Sequence, residues 1–220
     1  ANAPETKDNN FTWKDYQDRN NNELLAIFGN FVNRTLVLTH KYFEGKVPAM
    51  ANLNEKDNAA IEEMNQYPEM IGHLLETYKF REALSELMNL ARLGNRYLTE
   101  NEPWKQFKTD PERVKTVLAV SLQIVAKLAI LSEPFLPFSA KKLQAMIGLE
   151  VSGWNQAKET VLLNEESQIG EVELLFTKVE DETVAAQIKK LEDTKKQNEL
   201  NAWAPNPVKP NTNIDEFGKM

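Results

Sequence analysis

Apolar residues recur along the first fifth of the chain at intervals of three, four and seven. Leu24, Phe28, Phe31, Leu38 and Tyr42 form one stripe over residues 22 to 43, the period of a helix with a core-facing side. Thr12, with Asp15 three residues on, offers an N-cap upstream of it, and Gly45 and Pro48 punctuate its end. A second helix is predicted from the cap Asn54, with Pro68 marking a kink or short break before it resumes through Met70, Leu74 and Leu75. The third carries Ala83, Leu87, Leu90 and Leu93 to Tyr97 on one side and stops before Pro103. The fourth opens on Asp110 as cap, Pro111 at the first helical position and Glu112 at the positive end of the dipole. It is apolar almost all round, which places it at the centre of the fold. After Pro134 and Pro137 a short fifth helix is predicted, capped by Ser139 and closed by Gly148.

Past Trp154 the pattern loosens. "VELLF" reads as extended, and a mostly solvated helix follows over 181 to 198, with Val184, Ile188 and Leu191 as its apolar stripe. These elements define an all-α protein, an antiparallel helix bundle over residues 12 to 180 with a C-terminal helix. Residues 199 to 220, rich in Asn and Pro, read as a polar linker tail. With 220 residues, 41% of them hydrophobic, the chain can bury one sizeable core with an appendage.

Composition narrows the chemistry. There are no cysteines and only two histidines, His40 and His73, which read as ordinary helix residues, so no metal site is expected. No run of about 18 apolar residues and no signal-like amino terminus is visible, which predicts a cytoplasmic protein with no membrane partner. The formal charge of −7 argues against a broad basic surface for long nucleic acid. It leaves room for a small site that reads a few unstacked bases with two or three donors and an aromatic platform. The sequence has no phosphate loop, serine elbow or His-Glu-x-x-His helix. The adjacent carboxylates Glu62–Glu63 and Glu165–Glu166 read as solvated faces.

One constellation remains, in "GNFVNRTL" at residues 29 to 36. On a helix Asn30, Arg34 and Lys41 fall within about 40° of one another, on the flank of the apolar stripe. Periodicity alone allows an ordinary polar face. Trp104, directly after Pro103 in the polar turn "ENEPWKQF", is either an exposed platform or a lid on the end of the bundle. A helical protein-interaction scaffold, with Trp104 as an interface anchor, is the competing reading.

The stretches "FTWKDYQDRNNNELLAIFGNFVNR", "KYFEGKVP" and "FREALSELMNLARLGNRYLTENEPW" resemble the anticodon-binding domain of methionyl-tRNA synthetases, and the likeness spans most of residues 10 to 180. The family's two nucleotide-binding signatures, HIGH and KMSKS, and its zinc knuckle have no counterpart here. The resemblance therefore implies a piece of such an enzyme that does not itself activate methionine. Residues 1 to 11 would lead in from the catalytic part, and the tail would lead to an oligonucleotide-binding barrel through which the full-length protein forms a homodimer. ATP and Mg, and Zn where the knuckle is present, would belong to the catalytic part, leaving this fragment without a cofactor. The implied partners are the anticodon loop of methionine tRNA and the chain's own catalytic domain. Asn30 and Arg34 would contact the first anticodon base, a cytosine. Trp104 would stack on an anticodon base and Pro103 would shape its turn. Arg96 would be an auxiliary phosphate contact, with Lys41 as a further auxiliary, while Tyr97 reads as structural, holding the turn before Pro103.

Overall fold

A computed structural model describes residues 10 to 202. The expected lead-in falls mostly on residues 1 to 9 and most of the expected linker on 203 to 220, outside the described residues. The helices are α1 (Trp13–Arg19), α2 (Asn30–Phe43), α3 (Glu55–Glu76), α4 (Phe80–Asn101), α5 (Pro103–Gln106), α6 (Pro111–Leu131), α7 (Pro137–Ile147) and α8 (Asp181–Ala202). Among the described residues there is no named strand, only an isolated antiparallel bridge between Lys46 and Gln168. The expected all-α bundle is what the chain forms. Of the described residues, those from 10 to 178 make one compact unit and those from 179 to 202 another, in which α8 runs to Ala202, past its expected end at residue 198.

Burial explains the arrangement. Every residue of α6 from Thr116 to Leu131 is buried, and α6 packs against α2, α3, α4 and α7. By length and composition α6 could cross a membrane, a possibility the sequence reading missed, but almost all of it is covered by the bundle. Its two longest buried polar side chains, Gln123 and Lys127, are bonded internally. Gln123 accepts from the backbone N–H groups of Leu162 and Leu163 and donates to the Leu163 carbonyl, and the buried Lys127 ammonium donates to the carbonyls of Ala157 and Glu159 at 2.6 and 2.7 Å. These bonds strap the irregular segment after α7 across the central helix.

Three local expectations change. The helical run expected from the Thr12 cap to residue 43 forms, but it is not α throughout, because a π-helical segment, Asn20–Gly29, joins α1 to α2. Thr12 does cap the run, its hydroxyl accepting from Asp15 N. Pro68 does not break α3, which is continuous from Glu55 to Glu76. The interior proline costs roughly 3 kcal/mol, but Met64, Tyr67 and Ile71 around it are all buried, and each such burial returns about 1.5–3 kcal/mol. Ser139 is not the cap of α7, since Pro137 takes the first helical position after Leu136 and Ser139 lies inside. The fixed φ of proline starts the helix three residues early. Gly148 closes α7 in the left-handed region, as expected.

Candidate nucleic-acid interface

The π segment ends at Gly29, so from Asn30 onward the residues follow ordinary α spacing, and Asn30 and Arg34 lie one turn apart on the same flank of α2. Phe31 sets the rotation of that helix. Its ring lies on Gly94 of α4 so closely that a Cβ there would overlap it. With Phe31, Val32, Thr35 and Leu36 buried inward, Asn30 is left exposed and Arg34 half-buried at the edge. Asn95, one residue beyond Gly94, donates from its carboxamide to the Ile27 carbonyl at 2.8 Å, tying α4 to the π segment just before Asn30.

Trp104 arrives from the other side. α4 ends at Asn101, Glu102 turns in the left-handed region at φ 39° and ψ 53°, and the buried Pro103 begins the single turn of α5. Trp104, the next residue, is 38% exposed. The Arg34 guanidinium carbon lies 4.8 Å from the centroid of its ring, inside cation–π range. The fold thus brings Arg34 and Trp104, seventy residues apart in sequence, into direct contact at the surface, with Asn30 one helical turn away.

Hydrogen bonding separates this pair from its surroundings. Arg19, Arg92, Arg96 and Arg113 each meet a carboxylate. Among the described residues no carboxylate pairs with Arg34, no hydrogen bond engages its guanidinium, and none engages the Asn30 carboxamide. Five N–H donors on the arginine and both ends of an amide are therefore open. Lys41 is exposed two turns further along α2, its ammonium 5.3 Å from the centroid of the Tyr42 ring. Arg96 is not gathered into this group, because it holds Glu63 of α3 at 2.7 Å.

Beneath the Trp104 turn lies a buried polar junction that the sequence reading did not find. Asp57, fully buried, receives a two-pronged contact from Arg113 at 2.5 and 2.7 Å. It also accepts from the Tyr97 hydroxyl at 2.5 Å and completes a capping box with Asn54. Burial drives the Asp57 carboxyl upward, but the bonds from Arg113, Asn54 and Tyr97 together hold it below the usual carboxylate range. Burial and the Asp57 bond push the Tyr97 hydroxyl well up. Arg113 also donates to the Asn101 side-chain oxygen at 2.6 Å. Tyr97 is structural, then, but it ties α4 to α3, and the group bonded at the turn itself is Asn101. A cap at Asn54 followed three residues later by an acid was the one visible trace of this junction.

A helical module whose surface couples a free cationic fork, a carboxamide and an exposed indole has the parts needed to hold an unstacked base. Comparison with known proteins gives the family. A family profile described as the anticodon-binding domain of methionyl-tRNA ligase matches residues 47–196, and one described as class I tRNA synthetases (M) matches residues 1–36. The chain belongs to the methionyl-tRNA ligase anticodon-binding family. Asn30 and Arg34 fall under the second profile, Pro103 and Trp104 under the first. The methionine–tRNA ligases of Cytophaga hutchinsonii and Phocaeicola vulgatus are each 54% identical over all 220 residues, which cover 32% of their own length. The chain thus spans about a third of these curated relatives. The free form of Mycobacterium tuberculosis methionyl-tRNA synthetase superposes with a TM-score of 0.70 at 22% identity, over 77% of this chain and 35% of that one. The same enzyme in complex with methionyl-adenylate gives 0.70 at 23%, over 74% and 33%. At such identity the likeness is one of fold. The family match leaves the scaffold reading without support.

Proposed function

We propose that this bundle reads the CAU anticodon of methionine tRNA for a methionine–tRNA ligase of which it is one part, acting in the cytoplasm in protein synthesis. The observation that carries the reading is the surface contact between Arg34, which has no carboxylate, and Trp104, with Asn30 one turn away. Cytosine presents acceptors at O2 and N3 and a donor at N4. A guanidinium can only donate, so it suits the first two atoms, whereas uracil offers its own N3–H there. The carboxamide of Asn30 can serve either O2 or N4. Spacing of about 5–6 Å between side chains one turn apart lets both reach a single base edge.

Magnitudes favour exchange of the resting contact for RNA. Giving up an exposed cation–π contact costs about 0.5–1 kcal/mol, whereas stacking a base on Trp104 contributes about 1–3 and a two-point edge contact about 1–3 more. Pro103 fixes the turn, and Lys41 and Arg96 serve as auxiliary contacts to the RNA backbone. Adenylate formation, ATP, Mg and any Zn are assigned to the catalytic part of the parent chain, and dimerisation to a barrel beyond it. This bundle by itself does not form methionyl-tRNA.

The test is binding of anticodon stem-loops carrying CAU and UAU. The chain should prefer CAU by about 5- to 150-fold, from the edge-contact energy, and Arg34→Ala should erase most of that preference. Equal affinity of the unmodified chain for the two RNAs would end the reading. Trp104→Ala should weaken both RNAs alike, since stacking is largely indifferent to sequence.

A further inference from the structure

Trp104 stands on a turn that the backbone does not adopt readily. Glu102 is in the left-handed region at φ 39° and ψ 53°, and it precedes a proline, which confines its neighbour further. Such a residue keeps its conformation only where the surrounding structure over-determines it. The ion pair of its own side chain with Lys105, at 2.7 Å, joins two exposed groups and supplies little of that constraint.

The constraint lies one residue earlier. Asn101 is buried, donates to the Tyr97 carbonyl at 2.8 Å and accepts from Arg113 at 2.6 Å. Arg113 has no freedom to follow if Asn101 moves, because its guanidinium is clamped on both oxygens of the buried Asp57 and its backbone N–H is held by the α6 cap Asp110 at 3.0 Å. Asp57 is fixed in turn by Asn54 and Tyr97. Each member sits at the end of a different helix: Asp57 in the first turn of α3, Asn101 at the last residue of α4, Arg113 in the first turn of α6. Three helix ends thus converge on the residue from which the Trp104 turn springs.

We infer that Asn101, anchored by Arg113 and Asp57, is a positioning residue for recognition, setting the indole of Trp104 where it meets Arg34 without itself touching RNA. This rests on the proposed base-reading role of Trp104 and Arg34. Loss of the Asn101 acceptor lets Glu102 relax, and the indole leaves the α2 flank although every group that contacts the base is still present.

The experiment compares the 220-residue chain with Asn101→Leu, Asn101→Asp and Trp104→Ala, using CAU and UAU stem-loops and tryptophan emission with and without RNA. The difference between the unmodified chain and Trp104→Ala isolates the Trp104 signal from the other tryptophans. Asn101→Leu is expected to bind both RNAs about tenfold more weakly, the scale of one lost stack, and to lose the Trp104 response to RNA. Asn101→Asp, which keeps an acceptor for Arg113, is expected to restore affinity to within about twofold, a rescue that a general packing defect would not give. Normal affinity and emission in folded Asn101→Leu overturn the inference, and so does loss of binding in folded Asn101→Asp. Should Asn101→Leu fail to fold, Asn101→Ala takes its place, and Asn101→Asp decides alone if neither folds. If Trp104→Ala also binds normally, the fault lies with the base-reading role, not with Asn101.

Discussion

Two arginines in contact with neighbouring parts of one turn are treated in opposite ways. Below the Trp104 turn, Arg113 spends its donors on Asp57 and Asn101. Above it, Arg34 rests on the indole and spends none. The difference follows from burial. A charge withdrawn from water must be paired, and removing its partner strands the other ion. A charge at the surface can stay unpaired at little cost, and what it leaves unused is available to a ligand. Between these two arginines, then, saturation marks the frame and open donors mark the surface it presents.

The largest test of that contrast is to break the saturated side. Arg113→Leu leaves the Asp57 carboxylate buried without its cation and is expected to cost about 3–5 kcal/mol in chemical unfolding, whereas Arg34→Ala should stay within about 1 kcal/mol of the unmodified chain, the scale of its cation–π contact. Acid sharpens the comparison. Because the folded state holds Asp57 below its ordinary value of 3.8, the group adds stability that is complete above about pH 4 and is lost as pH falls through the folded value. Arg113→Leu should shrink that acid-dependent part, and Arg34→Ala should leave it intact.

Lys127 challenges the contrast next, as a buried cation held by two backbone carbonyls and, among the described residues, paired with no carboxylate. Burial pushes its pKa down from 10.5 to about 8, partly opposed by Glu159. The folded chain therefore gives up this proton before the unfolded chain does, so stability should rise with pH from about 8 toward 10, on the order of 2–3 kcal/mol. Above pH 10 the trend should reverse, because burial pushes Tyr67 to about 12 and Tyr97 higher still, and both resist ionisation in the fold. Thermal melts across this range should show the rise, and Lys127→Met should flatten it. A flat profile in the unmodified chain would mean that the two carbonyls stabilise the ammonium as well as water does.

How far the sequence carried the reading differs between these same regions. Helix existence was legible because periodicity, caps and prolines act locally, as at Thr12, Asn54, Asp110 and Gly148. The spacing of Asn30 and Arg34 was legible for the same reason, being a property of one helix. Their meeting with Trp104 was approached only through resemblance, since the contact spans two elements. The junction escaped because the cap spacing at Asn54 is the one local sign of Asp57, while its contacts with Tyr97 and Arg113 join residues 40 and 56 positions apart in the chain. Pro68 and the π segment escaped for another reason: tertiary packing overrode what local preference predicts. Gly94 carries no local signal either, because its role depends on the Phe31 ring that lies on it from another helix.

The smallest effect is also the most direct check of the contrast at the surface. Lys41 and Arg96 are both exposed cations proposed as auxiliary contacts to the RNA backbone. Among the described residues Lys41 has only the neighbouring Tyr42 ring, whereas Arg96 holds Glu63, with side chains 55% and 42% exposed. Neither substitution should matter to the fold, since an exposed ion pair is worth about 0–1 kcal/mol. Their effects on RNA should differ. A cation that meets a phosphate displaces about one counterion, so Lys41→Ala should reduce the salt dependence of stem-loop binding by about one unit of slope. Arg96 must first surrender Glu63, and Arg96→Ala should change the slope by less than half as much. If Arg96→Ala reduces the slope as much as Lys41→Ala does, saturation of a surface charge says nothing here about its use, and the argument from the open valences of Arg34 loses its footing with it.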